Sequence, residues 1–163
     1  MSVFLCSQYH FYTVNTAKLS ENVWKEAEKM LEQIQKYPQK EEYQKLVEAD
    51  RINLYEREAE KGDDRKFLEE TDRVFKENLR GDPAWKLYER KLVYLESKQP
   101  DISGEFERFL KKYPKVMDAY VEYSIYLCRN NKMTQAQRVY REGRKQTGMA
   151  SKRAEELRRK LGL

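Results

Sequence analysis

Histidine is almost absent from this chain: His10 is the only one among 163 residues, and no aspartate or glutamate lies within ten positions of it. A Ser-His-Asp relay or a histidine-based metal centre therefore cannot be assembled around it locally, because each needs a carboxylate or a second ligand to orient the ring. Glycine is also scarce, six residues in all, and no Gly-rich phosphate loop is present. Cys6 and Cys128 form neither a Cys-x-x-Cys pair nor a disulfide framework, which favours a reducing compartment. No apolar run approaches the roughly 18 residues of a membrane span. Gln8 and His10 interrupt the apolar opening before a signal-peptide core could form. The acidic pair Asp63-Asp64 invites a metal, but a helix-end turn explains it more simply. These absences lead to the expectation of a cytoplasmic, non-enzymatic protein with no cofactor, no metal, no membrane span and no small-molecule substrate, which works by binding.

What is present is charge and helical periodicity. Charged residues make up 37% of the chain and hydrophobic ones 39%, a mixture suited to helices that bury one stripe and solvate the other. No window shows sustained two-residue alternation, so an all-α fold is expected. Ser20 is placed to cap a first helix with Val23, Ala27, Met30, Leu31 and Ile34 inward and Leu19 against Trp24 as a staple, ended by Pro38. A second runs from about Glu41 to a stop at Gly62, and Asp64 caps a third carrying Phe67, Leu68, Val74, Phe75 and Leu79. In Arg80-Gly81-Asp82-Pro83, Gly81 closes one helix, Asp82 caps the next and Pro83 takes its first position. Further helices are predicted over 84–98, about 102–112, 116–129 and 135–145, the last with Thr134 and Gln137 as a capping box. A final helix starts at Lys152, is capped by Ser151 and buries Ala154, Leu157 and Leu161.

Short helices in pairs call for a repeat search. Tyr120, Tyr123, Ser124, Leu127, Ala136, Tyr140 and Gly143 follow the tetratricopeptide spacing without a gap, and Gly148 takes the place usually held by proline. The stretch from Ala119 to Gly143 resembles one complete tetratricopeptide repeat. Upstream, Trp85, Tyr88 and Leu92 lead to Ile102, Phe106, Phe109 and Pro114, and Ile52, Tyr55 and Ala59 lead to Thr71, Phe75, Asn78 and Pro83. The starts at 52, 85 and 120 lie near the 34-residue period. Glu89, Ile102, Thr71 and Asn78 fall where small residues normally stand, a departure shared with the looser half-repeats of RNA-processing proteins. The resemblance implies a solenoid of antiparallel helix pairs: a repeat domain over 20–163, with repeats at about 48–82, 83–114 and 116–148 and a cap over 151–163. Most tyrosines then fill gaps between helices with their hydroxyls at the edge.

The net charge of +5 sits at one end. From Tyr140 onward, eight basic residues, Arg141, Arg144, Lys145, Lys152, Arg153, Arg158, Arg159 and Lys160, face three acidic ones, while residues 1–139 are balanced. Two readings stand: a solvated terminal cap, which a repeat array needs, or a surface for phosphates whose binding would be salt-sensitive. At the other end, residues 1–19 form an aromatic arm or an extra helix. Tyr9, His10, Phe11 and Tyr12 would either dock on the first repeat or insert between bases or into a protein crevice.

Two narrower resemblances follow. Asp82-Pro83, Arg90-Lys91 and Ala119-Tyr120 are similar to features in the central repeats of the tetratricopeptide subunit of the endoplasmic reticulum membrane protein complex, which implies a scaffold gripping other subunits. By size, composition and charge the chain also resembles the small dormancy factors of microsporidian parasites that bind and silence ribosomes. That likeness implies a ribosome partner, with the basic end against ribosomal RNA and the N-terminal arm blocking a tRNA or factor site.

Overall fold

A computed structural model of the chain describes residues 21–36, 41–60, 62–76, 81–148 and 151–163. Among these residues the fold is all-α, with eight helices and no strand: α1 Glu21–Gln35, α2 Glu41–Glu60, α3 Arg65–Lys76, α4 Gly81–Glu96, α5 Ser103–Lys112, α6 Met117–Arg129, α7 Met133–Thr147 and α8 Lys152–Lys160. Ser20, Leu19, Leu79 and the arm residues Tyr9, His10, Phe11 and Tyr12 lie outside the described residues, as do the side chains of Val23 and Trp24.

Two boundaries differ from expectation. Helix α4 already includes Gly81, Asp82 and Pro83. The first four N–H groups of a helix lack intrahelical partners, so proline is tolerated anywhere in that turn and does not fix its first residue. Helix α7 starts at Met133 with Lys132 in the cap position and no side-chain cap, so Thr134 lies inside the helix and makes no capping box. The preceding turn is set by its backbone: Asn131 takes φ +59, and the Lys132 N–H reaches the Leu127 carbonyl at 2.9 Å. Other punctuation agrees with the sequence. Gly62, at φ +117, follows α2 and donates to the Ala59 carbonyl at 3.0 Å. Gly148 closes α7 in the left-handed conformation, donating to the Arg144 carbonyl at 3.0 Å.

The chain divides into two compact units, one up to Asp72 and the other from Arg73 onward. In the first, the stripe Ala27, Leu31 and Ile34 of α1 is buried, as are Ile52, Leu54 and Ala59 of α2 and Phe67 of α3. Lys66 ties the three helices together, with Nζ 2.6 Å from Glu28 Oε1 and 3.3 Å from Glu58 Oε2. Thr71 is fully buried and satisfies its hydroxyl locally, donating to the Phe67 carbonyl at 2.9 Å.

The second unit is organised around α6, which packs against α4, α5, α7 and α8. Eight of its residues are buried, including Tyr120, Tyr123, Tyr126 and Leu127, so it is apolar nearly all round, as a central helix must be. On one side Phe75, Trp85, Tyr88, Phe109 and Tyr113 make a continuous ring cluster, with centroids 4.7 Å apart for Phe75 and Tyr88 and 5.1 Å for Trp85 and Phe109. Phe106 carries the contact on to α6, stacking on Tyr123 at 4.8 Å with an interplanar angle of 9°. On the other side α7 approaches so closely that a Cβ on Gly143 would lie 2.5 Å from Tyr120 Cγ. Antiparallel order follows from these pairings: the Tyr126 hydroxyl meets Asp101, that of Tyr123 meets Glu107, and that of Tyr120 meets the Pro114 carbonyl.

Candidate nucleic-acid interface

Helix α8 forms because Ser151 is itself extended, outside the helix, and its hydroxyl accepts the Ala154 N–H at 3.1 Å. That bond satisfies one of the orphan donors of the first turn. Ala154, Leu157 and Leu161 are then buried. Two bonds from α7 fix the helix in place: the Tyr140 hydroxyl donates to the Ala154 carbonyl at 2.9 Å and Gln137 Nε2 to the Leu161 carbonyl at 2.8 Å. Burial pushes the Tyr140 phenol above its ordinary pKa, with Glu155 adding to the effect, so it stays a donor.

This docking sorts the eight basic residues onto two faces. On the seam between α7 and α8, Glu155 accepts from two arginines, Arg144 Nη1 at 3.1 Å and Arg158 Nε at 2.9 Å. Arg141 precedes Arg144 by three residues and Lys145 adjoins it, and both are exposed. On α8, Lys152 and Arg159 stand three before and four after Glu155, hence on its side of the helix, and both are exposed. Arg141, Lys145, Lys152 and Arg159 thus lie around the Arg144–Glu155–Arg158 network, with Glu156, four after Lys152 and three before Arg159, exposed beside them. Among the described residues, Arg141, Lys145, Lys152 and Arg159 have no ion-pair partner.

The other two point elsewhere. Arg153 reaches across to Glu122 on α6. It also lies near Glu89 on α4, whose carboxyl is raised by burial and by the neighbouring Glu122 and Asp118 charges, with Arg153 opposing them. Its role is to hold α8 against an acidic patch. Lys160 joins Arg129, Arg153 and Glu156 on the rim of a hollow of about 320 Å³ floored by Ile125, Cys128, Met133 and Leu157. Burial pushes the Cys128 thiol up, so it remains a thiol. Sequence reasoning did not single out Arg129 or Glu122; both come from α6, and no local pattern ties them to the basic end.

Among the described residues no three or more His, Cys, Asp or Glu side chains come together as a group that could hold a metal ion. No helix among them is long and apolar enough to cross a membrane. What the seam offers is a row of cations, two of them held by the Glu155 carboxylate, and such a row can bind phosphates. Compared with family models, curated proteins and solved structures, the chain gives no significant match to any of them.

Proposed function

We propose that this chain is a non-enzymatic ribosome-binding factor of the dormancy kind, which inactivates ribosomes by occupying an RNA-lined functional site such as a tRNA or factor site. The observation that carries the reading is the α7–α8 seam, where Arg141, Lys145, Lys152 and Arg159 are exposed, with no ion-pair partner among the described residues, beside the Arg144–Glu155–Arg158 network. Arginine and lysine held on rigid helices suit the phosphates of structured RNA, and the seam's surplus of charge supplies long-range attraction. Four phosphate contacts would give binding a log–log salt slope of roughly −3 to −4.

Co-sedimentation of the full chain with ribosomes through sucrose gradients, at low and high salt and after ribonuclease treatment, tests this. Migration with the monosome, lost with salt and lost in the Arg141→Glu, Lys145→Glu, Arg159→Glu triple variant, is the expected outcome. Absence from ribosomal fractions at low salt overturns it and leaves the scaffold reading, in which the partners are subunits of a protein complex.

A further inference from the structure

A second surface lies away from the seam. Helices α5 and α7 both run antiparallel to α6 and flank a groove of about 650 Å³ floored by Tyr120, Tyr123 and Leu127. Asp101 and Lys132, paired at 3.4 Å, set the register of the two walls at one end. Counting along the helices from that pair, Glu107 on α5 falls at about the level of Arg138 on α7, and Lys111, four further, at about that of Glu142. All four line the groove. Each level therefore carries opposite signs across the gap, and the order of signs reverses one turn along, yet none of the four has an ion-pair partner among the described residues.

The groove's dimensions and chemistry select its occupant. From Lys132 to Glu142 the α7 wall is about 15 Å long at 1.5 Å per residue. A helix about 10–12 Å across, embedded to half its depth over that length, displaces roughly 600–850 Å³, in line with the observed volume. An extended peptide is disfavoured because the floor is side chains on helices whose backbone groups are already bonded, so a strand would find no partners for its own N–H and C=O groups. A helix brings its backbone satisfied. Nucleic acid is disfavoured because three acidic residues, Asp101, Glu107 and Glu142, offset Lys111, Lys132 and Arg138.

The geometry points to this groove as the docking site for a three-turn amphipathic helix of a protein partner. Its apolar stripe would lie on the tyrosine floor, with a basic residue beside Glu107 and an acidic one beside Lys111 on one flank, and an acidic one beside Arg138 and a basic one beside Glu142 on the other. This charge pattern has two-fold symmetry: a peptide turned end for end presents the same signs. A peptide with all four signs exchanged cannot recover by reversing direction.

That symmetry supplies the test, which is independent of ribosome binding because no seam residue lines the groove. Two stapled helical peptides of identical composition, one with the matched pattern and one with all four charges exchanged, are titrated against the full chain by fluorescence anisotropy at low salt. Four pairs changing sign should make the matched peptide bind at least about tenfold more tightly. The fourfold variant Glu107→Lys, Lys111→Glu, Arg138→Glu, Glu142→Lys, which keeps the net charge, should reverse the preference. Val139→Arg, which projects into the groove, should weaken the matched peptide about tenfold and keeps the test decisive if the fourfold variant does not fold. Equal affinity for the two peptides, absence of binding by either, or displacement of the matched peptide by a single-stranded RNA would overturn the assignment.

Discussion

Gly143 tests whether α6 and α7 pack as closely as the structure places them. A Cβ at this position would lie 2.5 Å from Tyr120 Cγ, 2.6 Å from its Cβ and 3.0 Å from its Cδ2. The first two atoms sit at the root of the tyrosine, so no change of rotamer carries them away; α6 or α7 itself must shift. Tyr120 is also buried and its hydroxyl is held by the Pro114 carbonyl at 3.1 Å, which resists that shift. Overpacking of this kind typically costs about 1–3 kcal/mol, and the upper part of the range applies here. Against it stands the gain of about 1 kcal/mol from replacing glycine by alanine inside a helix. Gly143→Ala should therefore destabilise the protein by about 1–2 kcal/mol. Gly104 provides the control. It is helical and exposed, a Cβ there would meet nothing within 4 Å, and Gly104→Ala should stabilise by about 0.5 kcal/mol. Urea denaturation followed by circular dichroism reads both variants. In a double-mutant cycle, Gly143→Ala placed on Tyr120→Gly, which removes both Cβ and Cγ, should lose its penalty, giving a coupling of about 1–3 kcal/mol. If Gly143→Ala alone stabilises as much as Gly104→Ala, the close approach of the two helices does not exist.

Other consequences can be read in the same assays. Burial, with help from the Glu107 carboxylate, pushes the Tyr123 phenol from 10 up to about 12. A raised pKa means the folded state holds the proton more tightly, so this stabilisation is complete below pH 10 and is lost as pH rises through 12. Because the hydroxyl borders an open groove and is partly screened, the loss should be on the order of 1 kcal/mol, short of the full value of such a shift. Urea midpoints across that alkaline range should fall less steeply in Tyr123→Phe than in the unchanged protein; identical slopes would refute the assignment. Ser151→Ala removes the cap of α8 and should cost about 1 kcal/mol, measured as a shift in urea midpoint, with a neutral result refuting the cap.

The core of the last helix pair was legible because its signal is local. Tyr120, Tyr123, Leu127, Ala136 and Tyr140 recur at three- and four-residue spacings, and burial of all five follows from one helical face meeting another. Ser151 was legible for the same reason, since a cap needs only one residue of the right chemistry in the right place. The start of α7 was not, because Asn131 in the left-handed region set the turn through backbone bonds, with no part played by the Thr134 side chain. The candidate interface was legible only as a sum of charges. Its division depends on Glu122 and Glu155: one stands 31 residues from Arg153 and the other 11 from Arg144. Only the fold decides which cations those carboxylates occupy. The groove between α5 and α7 was invisible for a related reason, as the four charges on its walls come to face one gap only when α6 lies beneath them.

The cations of the C-terminal end therefore stand in two different environments, and salt should separate them. Arg144 and Arg153 hold α8 to the body of the unit, while Arg158 braces Glu155 from within α8; Glu122, the acceptor of Arg153, is only 17% exposed, so that attachment is poorly screened and is reinforced by buried Ala154, Leu157 and Leu161. Arg141, Lys145, Lys152 and Arg159 face water, where screening acts over about 8–10 Å at ordinary ionic strength. Rising salt should thus release a phosphate-bearing partner while α8 stays docked. Charge reversal at Arg153 would do something else: it would set a carboxylate against Glu122 and Glu89 and loosen the cap itself. A loss of binding in that variant would report on folding, which is why the seam residues, and not Arg153, are the ones whose substitution discriminates between a solvated cap and a surface for RNA.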